Sequence, residues 1–159
     1  MKIRTNFPLQ ALNSLNIPAV TPEILFPSTV KELTEIAADK AAKSYILGAG
    51  TNTLFCQTNA PIIIKPSLIG IEVTESDMYF QVSVACAENW HDFVLFCVNN
   101  AIYGLENLAL IPGSVGAAPV QNIGAYGIEV GDFIERVSWF DFAKQKLVET
   151  SSSWFLISL

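Results

Sequence analysis

Charged side chains are absent from residues 107–128, although acidic residues stand immediately before and after this stretch. Its two prolines and four glycines exclude a regular helix or a central strand through most of its length. A surface loop normally carries charges, so an irregular and apolar segment predicts packing against something other than water. Two interpretations agree with this composition: a loop that holds a cofactor, or a plain buried loop without a ligand. The glycines that permit close approach are Gly113, Gly116, Gly124 and Gly127.

Basic residues are also scarce. Nine lysines and arginines against fifteen acidic residues give a net charge of −6, and this argues against a nucleic-acid partner. No apolar run approaches the ~20 residues that a membrane-spanning helix needs. The first residues lack the apolar core of a signal peptide, so we expect a cytoplasmic location and no membrane span.

Cysteine and histidine are too few for a disulfide framework or a metal site. We expect Cys56, Cys86 and Cys97 to be reduced and buried, and the single histidine, His91, to cap a helix or lie at the surface. Only 15% of the residues are charged, against about a quarter in an average domain. A ligand, a partner or further polypeptide should therefore cover part of the apolar surface.

Short strands interleave with a few helices, and this order predicts an α+β architecture. A capping box at Thr29 and Glu32 opens a helix that carries apolar residues from Val30 to Ala37. Strands are predicted at 44–47, 61–65 and 79–86, and a hairpin at 137–150. Asn89 caps a second helix with an apolar stripe of Trp90, Phe93, Val94 and Cys97. A change of character near residue 66 predicts two subdomains, 1–66 and 67–159.

The turn after the 44–47 strand is a candidate phosphate site. Residues 48–53 lack the lysine of a Walker A loop, and they lack the third glycine and the following helix of a Rossmann fingerprint. The glycines and Asn52 can nevertheless present successive N–H groups to a pyrophosphate. The hydroxyls of Thr51 and Thr53 could add donors. A glycine turn after a strand is also common without a ligand, so both interpretations stay open.

Residues 46–55, 87–91 and 104–127 together resemble the UDP-N-acetylenolpyruvoylglucosamine reductase (UDP-N-acetylmuramate dehydrogenase) family. The resemblance runs from about residue 5 to about residue 150. It implies an FAD-binding fold of the vanillyl-alcohol-oxidase (PCMH) type, in which two α+β subdomains clamp an extended FAD. The residues that it implies for the pyrophosphate are Gly48, Ala49, Gly50, Thr51, Asn52 and Thr53. Those that it implies for the flavin and ribityl side are Ile111, Pro112, Gly113, Gly116, Gln121, Asn122, Gly124 and Tyr126.

The family reaction belongs to peptidoglycan synthesis: NADPH reduces FAD, and the reduced flavin delivers a hydride to an enolpyruvyl UDP-sugar. A serine, an arginine and a glutamate complete that chemistry in the family. The segments that carry them find no match here, so the resemblance assigns no catalytic residue, and the chain alone is expected to be inactive. Tyr126 could stack near the flavin, reach the substrate or be a core phenol.

The uncharged, aromatic residues at 151–159 suggest a hypothesis of truncation, in which the substrate-binding third domain is missing. Two alternatives accompany the leading interpretation of an FAD-binding portion of a reductase. One is a non-catalytic flavin-binding or interaction remnant. The other is one half of a split enzyme that a second chain completes.

Overall fold

The computed structural model describes residues 1–151; the hypothesis of truncation concerns a tail that lies almost wholly outside them. The first half contains four strands and two short helices. In chain order they are β1 (Lys2–Pro8), β2 (Val20–Phe26), α1 (Val30–Thr34), α2 (Ala38–Ala42), β3 (Ser44–Ile46) and β4 (Ile62–Ile64). The strands form one sheet in the order β1-β2-β4-β3. The β1–β2 pair is antiparallel, whereas β4 runs parallel to both β2 and β3.

Alternate side chains of β2 and β4 enter two separate hydrophobic clusters. Ile24 and Ile63 pack on one face with Leu9 and Leu47, while neighbouring residues of both strands pack on the other face with Ile36. Burial on both faces is typical of parallel strands. Because β3 and β4 are parallel, the segments that follow Ile46 and Ile64 leave the sheet at the same edge.

The second half is built around a third helix and three two-stranded sheets. Its elements are β5 (Ile71–Glu75), β6 (Phe80–Val84), α3 (Trp90–Asn99), β7 (Gly124–Ala125), β8 (Ile128–Glu129), β9 (Arg136–Asp141) and β10 (Lys146–Ser151). The predicted cap is confirmed, because Asn89 Oδ1 accepts a hydrogen bond of 3.1 Å from Asp92 N. All four residues of the predicted stripe on α3 are buried. Trp90 Nε1 donates to Leu108 O at 2.7 Å, which ties the helix to the uncharged segment.

The β9–β10 hairpin, predicted from sequence, packs back onto the first half of the chain. Gln145 Nε2 donates to Ile36 O at 3.1 Å, and Phe142 packs against the cluster of Leu25, Ile36 and Ile64. The two halves therefore have separate cores and share this contact. The subdomain boundary near residue 66 stays a prediction.

Two expectations from sequence are wrong. The first helix does not continue to Ala37: α1 ends at Thr34, and Ala37 adopts an extended conformation before α2. Leu33 and Ile36 are buried as expected, since the break still directs both side chains into the core. Cys56 is exposed, because it lies in an irregular surface segment between β3 and β4, whereas Cys97 is buried. Among residues 1–151, no helix is long and apolar enough to cross a bilayer.

The cap of α1 is linked to the start of the chain. Glu32 N donates to Thr29 Oγ1 at 3.1 Å, and the Glu32 carboxylate accepts from the N-terminal amine and from Ser28 N. The reciprocal bond of the capping box thus goes to Ser28 rather than to Thr29. The bonds from the amine, and then those from Ser28, lower the pKa of Glu32 to about 2.

We predict that Glu32→Gln lowers the melting temperature near neutral pH. A carboxyl whose pKa is depressed by folding stabilises the folded state above its ordinary pKa, and this contribution disappears as the pH falls toward the folded-state value. The difference in melting temperature between Glu32→Gln and wild type should therefore shrink as the pH falls from about 4.5 to about 2. Glu35→Gln, an exposed neighbour, is the control and should show little deficit at any pH. An unchanged Glu32→Gln deficit near pH 2 would contradict the assignment.

Candidate functional site

The two glycine segments line one open cavity of about 610 Å³. The first segment follows β3, and the second is the uncharged stretch after α3. Of the residues predicted for a cofactor, those that line the cavity are Gly48, Ala49, Gly50, Thr51, Asn52, Thr53, Pro112, Gly113, Gly116 and Gln121. Sequence reasoning missed several other wall residues, namely Tyr45, Lys65, Cys86, Ala87, Asn89, Trp90, Ser114 and Val120.

The first glycine segment rests on the turn that follows β1. Gly50 adopts a φ of +73°, and a Cβ at this position would lie 1.9 Å from Leu12 O. Ser14 N donates to Gly50 O at 3.0 Å, and Ser14 Oγ donates to Thr51 O at 3.1 Å. Only glycine can occupy position 50, because both the backbone conformation and the space exclude a side chain. Within residues 1–151, no group accepts a hydrogen bond from Ala49 N, and this residue is exposed.

The second glycine segment lies against residues that connect β6 to α3. Gly116 N donates to Cys86 O at 2.9 Å, and a Cβ on Gly116 would lie 2.5 Å from Cys86 Cβ. Trp90 N donates to Gly113 O at 3.1 Å. Glycine at 116 is thus required for the backbone to come this close. These bonds fix the second segment to the N-terminal end of α3.

Side-chain hydrogen bonds connect the two segments across one end of the cavity. Thr51 Oγ1 donates to Pro112 O at 3.2 Å, and Asn52 Nδ2 donates to Gln121 Oε1 at 2.7 Å. Gly48 also lies beside Ser114, whose Oγ would be 3.2 Å from an added Cβ. The proximity of two loops that are more than fifty residues apart in the chain is the main observation at this site.

Lys65 brings a cationic group to this otherwise uncharged wall. Its Nζ donates a hydrogen bond to Gly48 O, and burial lowers the pKa of the ammonium. The residue follows β4 directly, and β4 pairs in parallel with β3. The two adjacent strands therefore deliver Lys65 and the glycine turn to the same edge of the sheet. A lysine directly after a buried apolar strand was the sequence signal for this position.

Four predicted site residues do not line the cavity. Ile111 packs against the core of the second half. Asn122 adopts a left-handed conformation, accepts from Gly131 N at 2.9 Å and donates to Glu129 Oε2 at 2.5 Å. Gly124 pairs with Glu129 in the β7–β8 ladder. These contacts give Asn122 and Gly124 structural roles.

Tyr126 is the fourth of these residues. It is 89% exposed, so the interpretation as a core phenol is wrong. Tyr126 and Gly127 are the two turn residues between β7 and β8, and both have positive φ. This is the geometry of a tight two-residue hairpin turn, which directs the phenol away from the core.

The remaining candidate groups show no catalytic arrangement. His91 Nδ1 accepts a hydrogen bond of 3.2 Å from Leu110 N near the start of α3, as expected of a structural histidine. Glu106 and Glu129 bind separate partners, Gly104 N and Asn122 Nδ2. Burial raises the pKa of the Cys86 thiol, which disfavours a reactive thiolate at this wall residue. Residues 1–151 contain no cluster of ligating side chains that could hold a metal.

A second cavity of about 350 Å³ adjoins the first and shares Tyr45, Asn52 and Thr53 with it. Its other walls come from residues 54–57 and 59–61, and they include the exposed Cys56. The first glycine segment therefore separates two adjacent depressions. An extended ligand that crosses this segment could contact both.

Similarity to known proteins extends over both glycine segments. The model of the FAD binding domain family matches residues 24–151, which include both glycine segments. The chain belongs to this family. It is also homologous to UDP-N-acetylenolpyruvoylglucosamine reductases, so the resemblance expected from sequence is confirmed. The structure is accordingly a mixed α/β FAD-binding domain.

Two relatives illustrate the extent of the match. The UDP-N-acetylenolpyruvoylglucosamine reductase of Pseudoalteromonas atlantica is 42% identical over 134 residues, which is 84% of this chain and 39% of that protein. The enzyme of Aliivibrio fischeri is 38% identical over 144 residues, 89% of this chain and 41% of its own length. The chain thus spans about two fifths of the length of the curated relatives that it matches.

A solved structure supports the fold. The crystal structure of UDP-N-acetylenolpyruvylglucosamine reductase from Thermus caldophilus superimposes with a TM-score of 0.74. The match covers 96% of this chain and 52% of that one, at 20% identity. At this identity the likeness establishes the fold of the FAD-binding domain and nothing further.

We predict that Gly50→Ala destabilises this FAD-binding domain far more than Gly127→Ala. Both glycines have positive φ, +73° and +80°, so alanine at either position bears a conformational cost of about 1–2 kcal/mol. At position 127 an added Cβ meets nothing within 4 Å, whereas at position 50 it overlaps Leu12 O. Urea denaturation should show a larger loss in the free energy of unfolding for Gly50→Ala than for Gly127→Ala. Equal losses for the two variants would contradict the close contact.

Proposed function

We propose that the chain binds FAD in the cavity between the two glycine segments. The observation that carries this proposal is the pair of hydrogen bonds that joins Thr51 to Pro112 and Asn52 to Gln121, since these bonds link two loops that are distant in sequence at one cavity. The match of the FAD binding domain family to residues 24–151 supports the choice of ligand. In this proposal the fold is the two-subdomain vanillyl-alcohol-oxidase type, with its boundary near residue 66.

The residues present fit such a cofactor. The cavity volume falls within the ~300–1,000 Å³ usual for small-molecule sites. The 48–53 turn offers backbone N–H groups and the hydroxyl of Thr53, the donors that suit a diphosphate. Glycine at 116 brings bare backbone to the wall, and Trp90, Val120 and Ile123 supply apolar surface for the flavin and ribityl side.

In this proposal, the full-length enzyme that contains such a domain is an NADPH-dependent reductase that acts on a UDP-N-acetylglucosamine enolpyruvate. FAD, when bound, supplies the hydride transfer. This chain's own residues bind and orient the cofactor, and the apolar walls limit the access of water. The groups that hold the UDP-sugar and protonate the product belong, in this proposal, to parts of the full-length enzyme that its relatives possess outside the matched two fifths.

We predict that the purified chain binds FAD with a structured, shifted visible spectrum and a rise in melting temperature. Ligands that bind only the folded state stabilise it. Titration followed by flavin fluorescence gives the dissociation constant. Asn52→Ala should weaken binding several-fold because it removes the Asn52–Gln121 connection, while Asn100→Ala, which removes an exposed hydrogen bond on α3, serves as the control. A folded chain that leaves FAD free at tens of micromolar would overturn the proposal.

We further predict that NADPH bleaches the bound flavin under anaerobic conditions. The enolpyruvyl UDP-sugar should then fail to restore the oxidised spectrum with this chain alone, and should restore it with a full-length homologue. The measurement is the visible absorbance of the flavin. Reoxidation by the substrate with this chain alone would assign the proton donor to residues present here and contradict the division of roles.

A further inference from the structure

Lys65 is the single charged residue among the cavity walls that residues 1–151 provide. The other walls are glycines, small polar residues and apolar side chains. The whole chain carries a net charge of −6, so the surrounding field disfavours an anionic ligand. One cation at the cavity is therefore the main local source of favourable electrostatic energy for such a ligand.

The structure holds this cation in place from both ends. Lys65 N donates to Leu25 O at 2.8 Å, and Leu47 N donates to Ile64 O at 2.9 Å, so the backbones on both sides are fixed in the sheet. The Nζ group donates to Gly48 O at the start of the glycine turn. An ammonium has three N–H donors, and this bond uses one of them.

No carboxylate in the described part of the chain forms an ion pair with Lys65. Burial has removed part of the water around the ammonium, and this lowers its pKa. A half-buried charge without a counterion is unfavourable in the free protein. A bound anion beside the turn would supply the missing counterion and accept the two remaining N–H donors.

We propose that Lys65 neutralises the diphosphate of FAD bound on the 48–53 turn. This proposal rests on the FAD-binding function above and assigns to it a residue outside the two glycine segments. Lys65 contacts the turn directly through Gly48 O, and the turn itself presents N–H and hydroxyl donors without any charge. A diphosphate carries two negative charges, which the uncharged donors solvate and Lys65 offsets.

The test compares FAD dissociation constants of wild type, Lys65→Met and Lys65→Arg at low and high salt. Lys65→Met should weaken binding about tenfold or more at low salt, because a hydrogen bond to a charged group is lost. The difference should shrink at high salt, since ions screen the attraction. Lys65→Arg keeps the charge and should stay much closer to wild type. Lys43→Met makes the same change in net charge at an exposed position outside the cavity and should bind FAD as wild type does.

A structural role for Lys65 would give a different pattern. If the ammonium served only to hold Gly48 O, Lys65→Met would lower the melting temperature of the cofactor-free chain and weaken FAD binding equally at both salt concentrations. That result, or an unchanged dissociation constant, would overturn the proposal. Failure of wild type to bind FAD would instead overturn the proposed function itself. Binding of wild type with a salt-dependent loss in Lys65→Met alone supports the assignment to Lys65.

Discussion

The parallel pairing of β3 with β4 determines where the candidate site forms. Ser44 pairs with Ile62 and Ile46 with Ile64, although the partners are eighteen positions apart in the sequence. Parallel neighbours end at the same edge, so the glycine turn and Lys65 leave the sheet side by side. The residues that flank β4 limit this register, because a shift by one residue would bring Lys65 to the buried position of Ile64 or Pro61 to the position of Ile62.

Close backbone contacts then limit how the site can vary. Gly50 lies against Leu12 O, and Gly116 lies against Cys86, so each glycine segment packs on a different part of the fold. The side-chain bonds between the segments are exposed and individually weak. The shape of the cavity therefore depends mainly on the packing beneath each loop, and the connecting bonds adjust the two walls relative to each other.

Local patterns in the sequence predicted those elements that local interactions form. Helix α3 combines an Asn89 cap with a regular apolar stripe, and the β9–β10 hairpin combines two alternating strands with a short turn, so both were found. The break after α1 was not predicted from the sequence. The residues at the break include no glycine or proline, and the ion pair of Lys40 with Glu23, at 2.6 Å, holds α2 against β2 through a contact distant in sequence.

The candidate site shows the same limit. The glycine segments were recognisable because their composition is unusual, but Lys65 joins them only through strand pairing. The family resemblance implied Tyr126 and Asn122 for the flavin side, together with Gly116. In the structure Gln121 and Ile123 line the cavity, whereas Asn122 bonds to Glu129 and Gly131, and Tyr126 lies in the tight turn between β7 and β8. A residue that is next to a wall residue in the sequence therefore need not line the cavity itself.

The absence of charge between residues 107 and 128 has a consequence beyond packing. Leu108, Ser114, Ala118 and Ile123 are buried, so part of the segment avoids charge for ordinary reasons of desolvation. The cavity-facing part also lacks carboxylates, and any carboxylate there would pair with Lys65 and compete with an anionic ligand. Because the other wall residues are uncharged, the Lys65 ammonium stays available to an anionic ligand. In a chain of net charge −6, the role proposed for Lys65 would let a single cation favour a diphosphate without a basic patch.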